Sequence, residues 1–268
     1  MMNRWSNFQF LFEGGYGTIA TCTDIYTHQM RICKIVKQSQ LFNREVQILN
    51  IIRHENIVQF IGYELYNDNL YIFMEHCGPT LFDLYENHKI INRDEYNSCS
   101  KQILRGIAYI HGLQIVHRDI KLENICLLGS TIKIIDFGLS RCYADEELEY
   151  SLCNFCGTKS YCCPEIVSRL PYSGYAADSW SVGICLYALF YHSFPFELAS
   201  CENDAYVQIS KEQKNGKNIV DVARALYKKD DANIPFVIKN IIGNLLQINP
   251  NYRCRINESL SLKWPDSI

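Results

Sequence analysis

The chain has 268 residues, a formal net charge of −3, and 48% hydrophobic against 21% charged residues. That balance supplies ample material for a core and excludes a nucleic-acid or membrane-surface role driven by bulk positive charge. No apolar run approaches a membrane span and the first residues lack the apolar core of a secretory leader. The expectation is therefore a cytoplasmic chain without a membrane anchor, with nuclear entry left open.

In chain order, the N-terminal part reads as strands. Residues 8–12, 18–23 and 30–36 are β-branched and aromatic runs separated by turn residues. Over 41–53 the period changes: Leu41, Ile48, Leu49 and Ile52 fall near one helical face, with Glu45 beside it. Strand character returns over 57–63 and 70–74. After Gly78-Pro79 the pattern is mainly helical, over 94–112, 176–191, 203–214, 219–228 and 235–247. This order predicts an α+β fold with a small sheet-rich lobe over 1–77 and a larger helical lobe over 78–268, without internal repeats or a low-complexity linker.

Thirteen cysteines are scattered through the chain. Cys153-x-x-Cys156 is followed by Cys162 and Cys163, but no second C-x-x-C supplies the other half of a structural zinc site. Reduced thiols are the expectation.

Several short stretches carry chemistry. Residues 11–19 read L-F-E-G-G-Y-G-T-I, a glycine-rich turn whose backbone N–H groups can approach phosphate oxygens unobstructed. Lys34 on a strand can neutralise phosphates, and a helix carboxylate such as Glu45 can hold it in place. Residues 115–124 read I-V-H-R-D-I-K-L-E-N, which sets a carboxylate (Asp119), an ammonium (Lys121) and an amide (Asn124) on one short loop. Asp136-Phe137-Gly138 follows the apolar run I-K-I-I, placing a carboxylate at a strand end where it can reach Mg²⁺. Taken singly, each motif also fits an ordinary hairpin, an exposed lysine or a charged surface loop. Their joint order does not.

In that order the motifs resemble those of the eukaryotic protein kinase family, and the resemblance runs from Leu11 to Trp264. It implies a two-lobed kinase fold and a single kinase domain. The expected activity is an ATP- and Mg²⁺-dependent serine/threonine kinase acting on protein substrates.

On this resemblance Asp119 takes the hydroxyl proton, Lys121 steadies the γ-phosphoryl group, and Lys34 fixed by Glu45 positions the phosphates. Asn124 and Asp136 hold the metal. The nucleotide is expected against Leu11, Gly14, Gly15, Tyr16, Gly17 and Ile19, with Met74 flanking the base and Glu75 and Cys77 offering backbone hydrogen bonds to it. Leu49, Phe60, His117 and Phe137 form an internal stack, Asp178 pins the catalytic loop, and Arg253 pairs with Glu165. Lys121 with Thr158 is the Ser/Thr pattern. Phe12 stands where the family has its first loop glycine, Ile32 falls within the family's V-A-I-K and Cys163 replaces an alanine. The usual phospho-acceptor position falls on Asn154, with Ser151 and Tyr150 nearby; two readings stand side by side, an upstream kinase acting at Ser151 and constitutive activity without such a step. Two alternatives are a catalytically silent scaffold and a small-molecule kinase; G-T-K-S-Y-C-C-P-E, ending at Glu165, argues for a peptide platform.

Overall fold

A computed structural model describes residues 4–14, 17–37, 40–87, 92–143, 158–228, 234–262 and 264, the side chains of 40–43 excepted. Five antiparallel strands open the chain: β1 (Trp5–Gly14), β2 (Gly17–Asp24), β3 (Met30–Lys37), β4 (Phe60–Tyr66) and β5 (Asn69–Glu75), in the spatial order β1-β2-β3-β5-β4. Register sets the faces. Lys34 lies opposite Ile72 and Cys33 opposite Phe73, so alternation puts Lys34 and Cys33 on opposite sides of the sheet. On the Cys33 side, Trp5 stacks on Phe73 with ring centroids 3.8 Å apart and closes a small separate core with Cys22.

Helix α1 (Gln40–Ile51) buries Ile48 and Leu49 with the following Ile52, and turns Glu45 inward at 1% exposure. The expected strand over 57–63 is displaced, since β4 starts at Phe60. Ile57 and Val58 are buried for another reason. The Val58 N–H donates to the Ile134 carbonyl, and the Ile134 N–H donates to the Asn56 carbonyl, so this apolar run joins the two lobes.

The larger lobe begins with α2 (Leu81–Glu86) and α3 (Arg93–Gly112), each started by a reciprocal cap: Thr80 with Asp83, and Asn92 with Glu95. Short strand pairs come next, β6 (Ile115–Val116) with β9 (Arg141–Cys142) and β7 (Ile125–Leu128) with β8 (Thr131–Ile134), and they frame the loop that carries Asp119. After α4 (Pro164–Val167) comes α5 (Gly174–Tyr191), capped by Ser173 and buried on nearly every side, as a central core helix must be. Gly183 lets the end of α8 (Phe236–Leu245) approach α5: a Cβ there would lie 2.8 Å from the side chain of Leu246, which follows α8. The remaining helices are α6 (Asp204–Lys214), α7 (Ile219–Leu226), α8 (Phe236–Leu245) and α9 (Ile256–Ser261). The long helices fall within a few residues of the expected ranges. Helices α2, α4 and α9 were not expected, being too short to show a period. No helix among the described residues is long and apolar enough to cross a membrane.

Candidate active site

Strand β6 delivers the chain to His117, and Asp178 of α5 fixes the start of the loop. Its carboxylate accepts the backbone N–H of His117 at 2.8 Å and of Arg118 at 2.8 Å, and lies 2.9 Å from His111 Nε2. Burial works against the Asp178 charge, but the hydrogen bond and charge of His111, with the charge of His117 and the Arg118 N–H, outweigh it and hold the carboxyl below its ordinary value. Arg118 sits at φ 70°, a left-handed conformation that costs a non-glycine residue energy. The two amide bonds to Asp178 keep it there. His117 bonds the Ile135 carbonyl through Nε2, and its ring lies 4.9 Å from that of Phe137.

Asp119, 5% exposed, is gripped from two sides. Lys121 Nζ lies 2.8 Å from Asp119 Oδ2 and donates to Thr158 Oγ1 at 3.0 Å. Asn124 Nδ2 donates to the Asp119 carbonyl at 2.9 Å and to Oδ2 at 3.0 Å. With the amide nitrogen committed, the Asn124 oxygen is the atom available to a cation. The structure thus brings Asp119, Lys121, Asn124 and Thr158 into one cluster.

Lys34 is the hub of the second cluster. Its Nζ lies 2.9 Å from both Glu45 carboxylate oxygens and 2.8 Å from Asp136 Oδ1. Burial opposes the ammonium, but the charges of Glu45 and Asp136 outweigh it and raise the Lys34 pKa. Asp136 is lowered: burial disfavours its charge, and Lys34 with the Gly138 N–H more than compensates. Glu45 goes the other way, raised by burial and by the Asp136 charge despite Lys34. Asp136, like Arg118, holds a left-handed backbone, at φ 61°.

Between the lobes lies a cavity of about 510 Å³, in the range of small-molecule sites. Leu11, Gly14, Gly17 and Ile19 line it from the first hairpin, Met74, Glu75 and Cys77 at the connection, and Lys34, Asn124 and Asp136 at its polar end. Gly17 is sterically required: at φ 125°, a Cβ would meet the Ile35 carbonyl oxygen at 2.5 Å, whereas a Cβ on Gly14 has room. Phe12, 62% exposed, stands at the cavity edge. Glu75 faces the cavity through its backbone, because its carboxylate binds Lys133 and the Gln59 N–H. Gly15, Tyr16, Tyr150, Ser151, Cys153, Asn154 and Cys156 lie outside the described residues. The sequence reading missed Val58, Thr80, Asp83, Cys126 and Ile135, which also line the cavity: Thr80 and Asp83 from the capped start of α2, Cys126 from β7, and Val58 and Ile135 from the segments beside β4 and β8.

The cavity has the chemistry of a nucleotide site, with aliphatic walls at one end and Lys34 at the other. Among the described residues no three His, Cys, Asp or Glu side chains cluster as a metal cage. Mg²⁺ does not need one, since it takes one or two carboxylates and completes its shell with phosphate and water oxygens. Asp136 and Asn124 fit that requirement.

Farther out, Arg253 Nη1 and Nη2 donate to Glu165 Oε2 and Oε1 at 3.0 and 2.8 Å, and its guanidinium lies 4.9 Å from the Trp180 ring centre. This pair secures the segment after Thr158 to the large lobe.

The model of the protein kinase domain matches residues 5–265. The probable serine/threonine-protein kinase KCC4 of Saccharomyces cerevisiae is 36% identical over 81% of this chain and 20% of that protein. NUAK family SNF1-like kinase 1 of Mus musculus is 28% identical over 98% of this chain and 39% of that protein. Serine/threonine-protein kinase SRK2D of Arabidopsis thaliana is 31% identical over 94% of this chain and 68% of that protein. The chain thus spans well under half the length of the first two relatives.

Proposed function

The chain belongs to the protein kinase family, and on that footing we propose that it is a serine/threonine kinase that transfers the γ-phosphoryl group of ATP, with Mg²⁺, to protein hydroxyls. The observation that carries this reading is the contact set around Asp119: Lys121 at 2.8 Å, Asn124 at 3.0 Å, and Thr158 joined through Lys121. Asp119 orients the substrate hydroxyl and takes its proton as the oxygen bonds to phosphorus, while the bond to the ADP oxygen breaks. Lys121 neutralises the moving group. Lys34, held by Glu45, fixes the α- and β-phosphates, and Asn124 with Asp136 would hold Mg²⁺, which when bound would offset charge on the phosphate oxygens. The rate then comes from positioning and electrostatics.

Within the same proposal, residues 1–268 are one kinase domain with lobes over 1–77 and 78–268, the chain works in the cytoplasm, and an upstream kinase acts at Ser151. The deciding experiment is transfer from labelled ATP with Mg²⁺ to generic Ser/Thr protein substrates, comparing wild type with Asp119→Asn. Transfer to serine or threonine that vanishes in the variant is the expected result. Absence of transfer from both proteins, with ATP still bound, overturns it in favour of a silent scaffold, provided that phosphate is present at Ser151.

A further inference from the structure

We propose that Lys133 is a positioning residue which, through its ion pair with Glu75, clasps the connection between the lobes to the strand leading to Asp136. Lys133 Nζ lies 2.8 Å from Glu75 Oε1, with side chains 13% and 14% exposed. The same oxygen accepts the Gln59 N–H at 2.7 Å, and the Glu75 N–H donates to the Gln59 carbonyl. One carboxylate oxygen therefore joins three segments: the chain entering β4, the connection, and β8.

Each of those segments borders the cavity. Cys77, two residues beyond Glu75, lines it. Lys133 lies opposite Cys126, another lining residue, and β8 ends two residues before Asp136. In the sheet Glu75 pairs with Arg31, on the face opposite Lys34, so the carboxylate sits behind the connection. A neutral tie lies nearby: Gln102 Oε1 accepts Asn56 Nδ2 at 2.8 Å and the Ile132 N–H at 2.9 Å. Widening the cleft from the rear breaks the ionic member of this set. With most of its surface removed from water, the pair resists that motion more than an exposed pair would.

Cleft opening is the step by which a bound nucleotide leaves, and in many enzymes such opening limits turnover. The clasp therefore slows exchange and keeps Asp136 aligned with the connection. This nucleotide consequence rests on the kinase reading; the clasp itself does not.

The test uses the full chain as wild type, Lys133→Met, Lys133→Arg, Lys133→Glu alone and the charge swap Lys133→Glu with Glu75→Lys. Without nucleotide, hydrogen–deuterium exchange in Lys133→Met is expected to rise about fivefold over 57–60, 75–79 and 132–137 together, with α5 to α8 unchanged. Lys133→Arg and the swap should return toward wild type. Dissociation of a fluorescent ADP analogue should be faster in Lys133→Met by about the same factor, with KM for peptide unchanged. Exchange within about twofold of wild type, a uniform rise across the chain, or a swap no better than Lys133→Glu alone overturns the proposal. If wild type binds no ADP analogue, the kinase reading fails, and the exchange comparison still decides the clasp.

Discussion

Lys121 donates a hydrogen bond to Thr158 Oγ1 at 3.0 Å across 37 positions of chain, while the same ammonium rests 2.8 Å from Asp119. The hydroxyl of Thr158 thereby sets where the Lys121 charge stands. Thr158→Val keeps the side-chain volume and removes that acceptor. The expected loss of stability is small, about 1 kcal/mol. Transfer should fall roughly tenfold, with ATP affinity retained. Steady-state kinetics beside a thermal melt checks both parts, and a variant with wild-type turnover refutes the role given to Thr158.

Lys34→Met leaves Glu45 and Asp136 facing each other without their cation. Removing one partner of a buried pair costs about 3–5 kcal/mol. Glu45, already raised by its surroundings, can relieve part of that cost by taking a proton. The penalty should therefore be smaller at pH 5 than at pH 7.5, and phosphoryl transfer should be lost at both. Urea unfolding at the two pH values measures it.

Asp178 sets an acid limit. Its folded pKa lies below the ordinary value of 3.8, so the unfolded chain takes the proton first as pH falls. The stabilisation is full above the unfolded value and disappears as pH drops through the folded one. Stability of wild type minus that of Asp178→Asn should shrink as the pH falls below about 4. Denaturant midpoints at stepped pH give the curve, and a difference that grows toward acid contradicts the sign.

Arg253→Met strands the Glu165 carboxylate. The expected cost is again about 3–5 kcal/mol, a fall in Tm of roughly 10 °C for a chain of this size. Glu165→Gln with Arg253→Met should recover part of it, because no unpaired charge remains. Calorimetry of the single and double variants decides the matter.

The sequence made the strands before residue 37 and the long helices legible, because alternation and the 3.6-residue period persist over many residues there. The clusters at Asp119 and Lys34 were legible for a different reason: their members sit in local motifs whose spacing is itself the signal. What stayed hidden was held together across distance. The His111 contact with Asp178, the Glu75 pair with Lys133 and the lining role of Cys126 each join residues from separate elements, and no local pattern marks them. Ile57 and Val58 misled the strand assignment because a run docked through a parallel bridge to Ile134 reads the same as one that is paired within the small-lobe sheet.

That docking has a consequence for dissecting the molecule. Ile134 exchanges two backbone hydrogen bonds with Asn56 and Val58, so the division between the lobes passes through a shared ladder, not between two finished surfaces. A fragment ending at Cys77 would carry Ile57 and Val58 bare and an open row of backbone groups beside them. A fragment starting at Gly78 would leave β8 with the complementary vacancy. Expressed apart, each half would present a sticky edge of the kind that promotes aggregation. Expressed together as separate chains, the halves have a template on which to find one another. The small lobe is an independent unit in outline only.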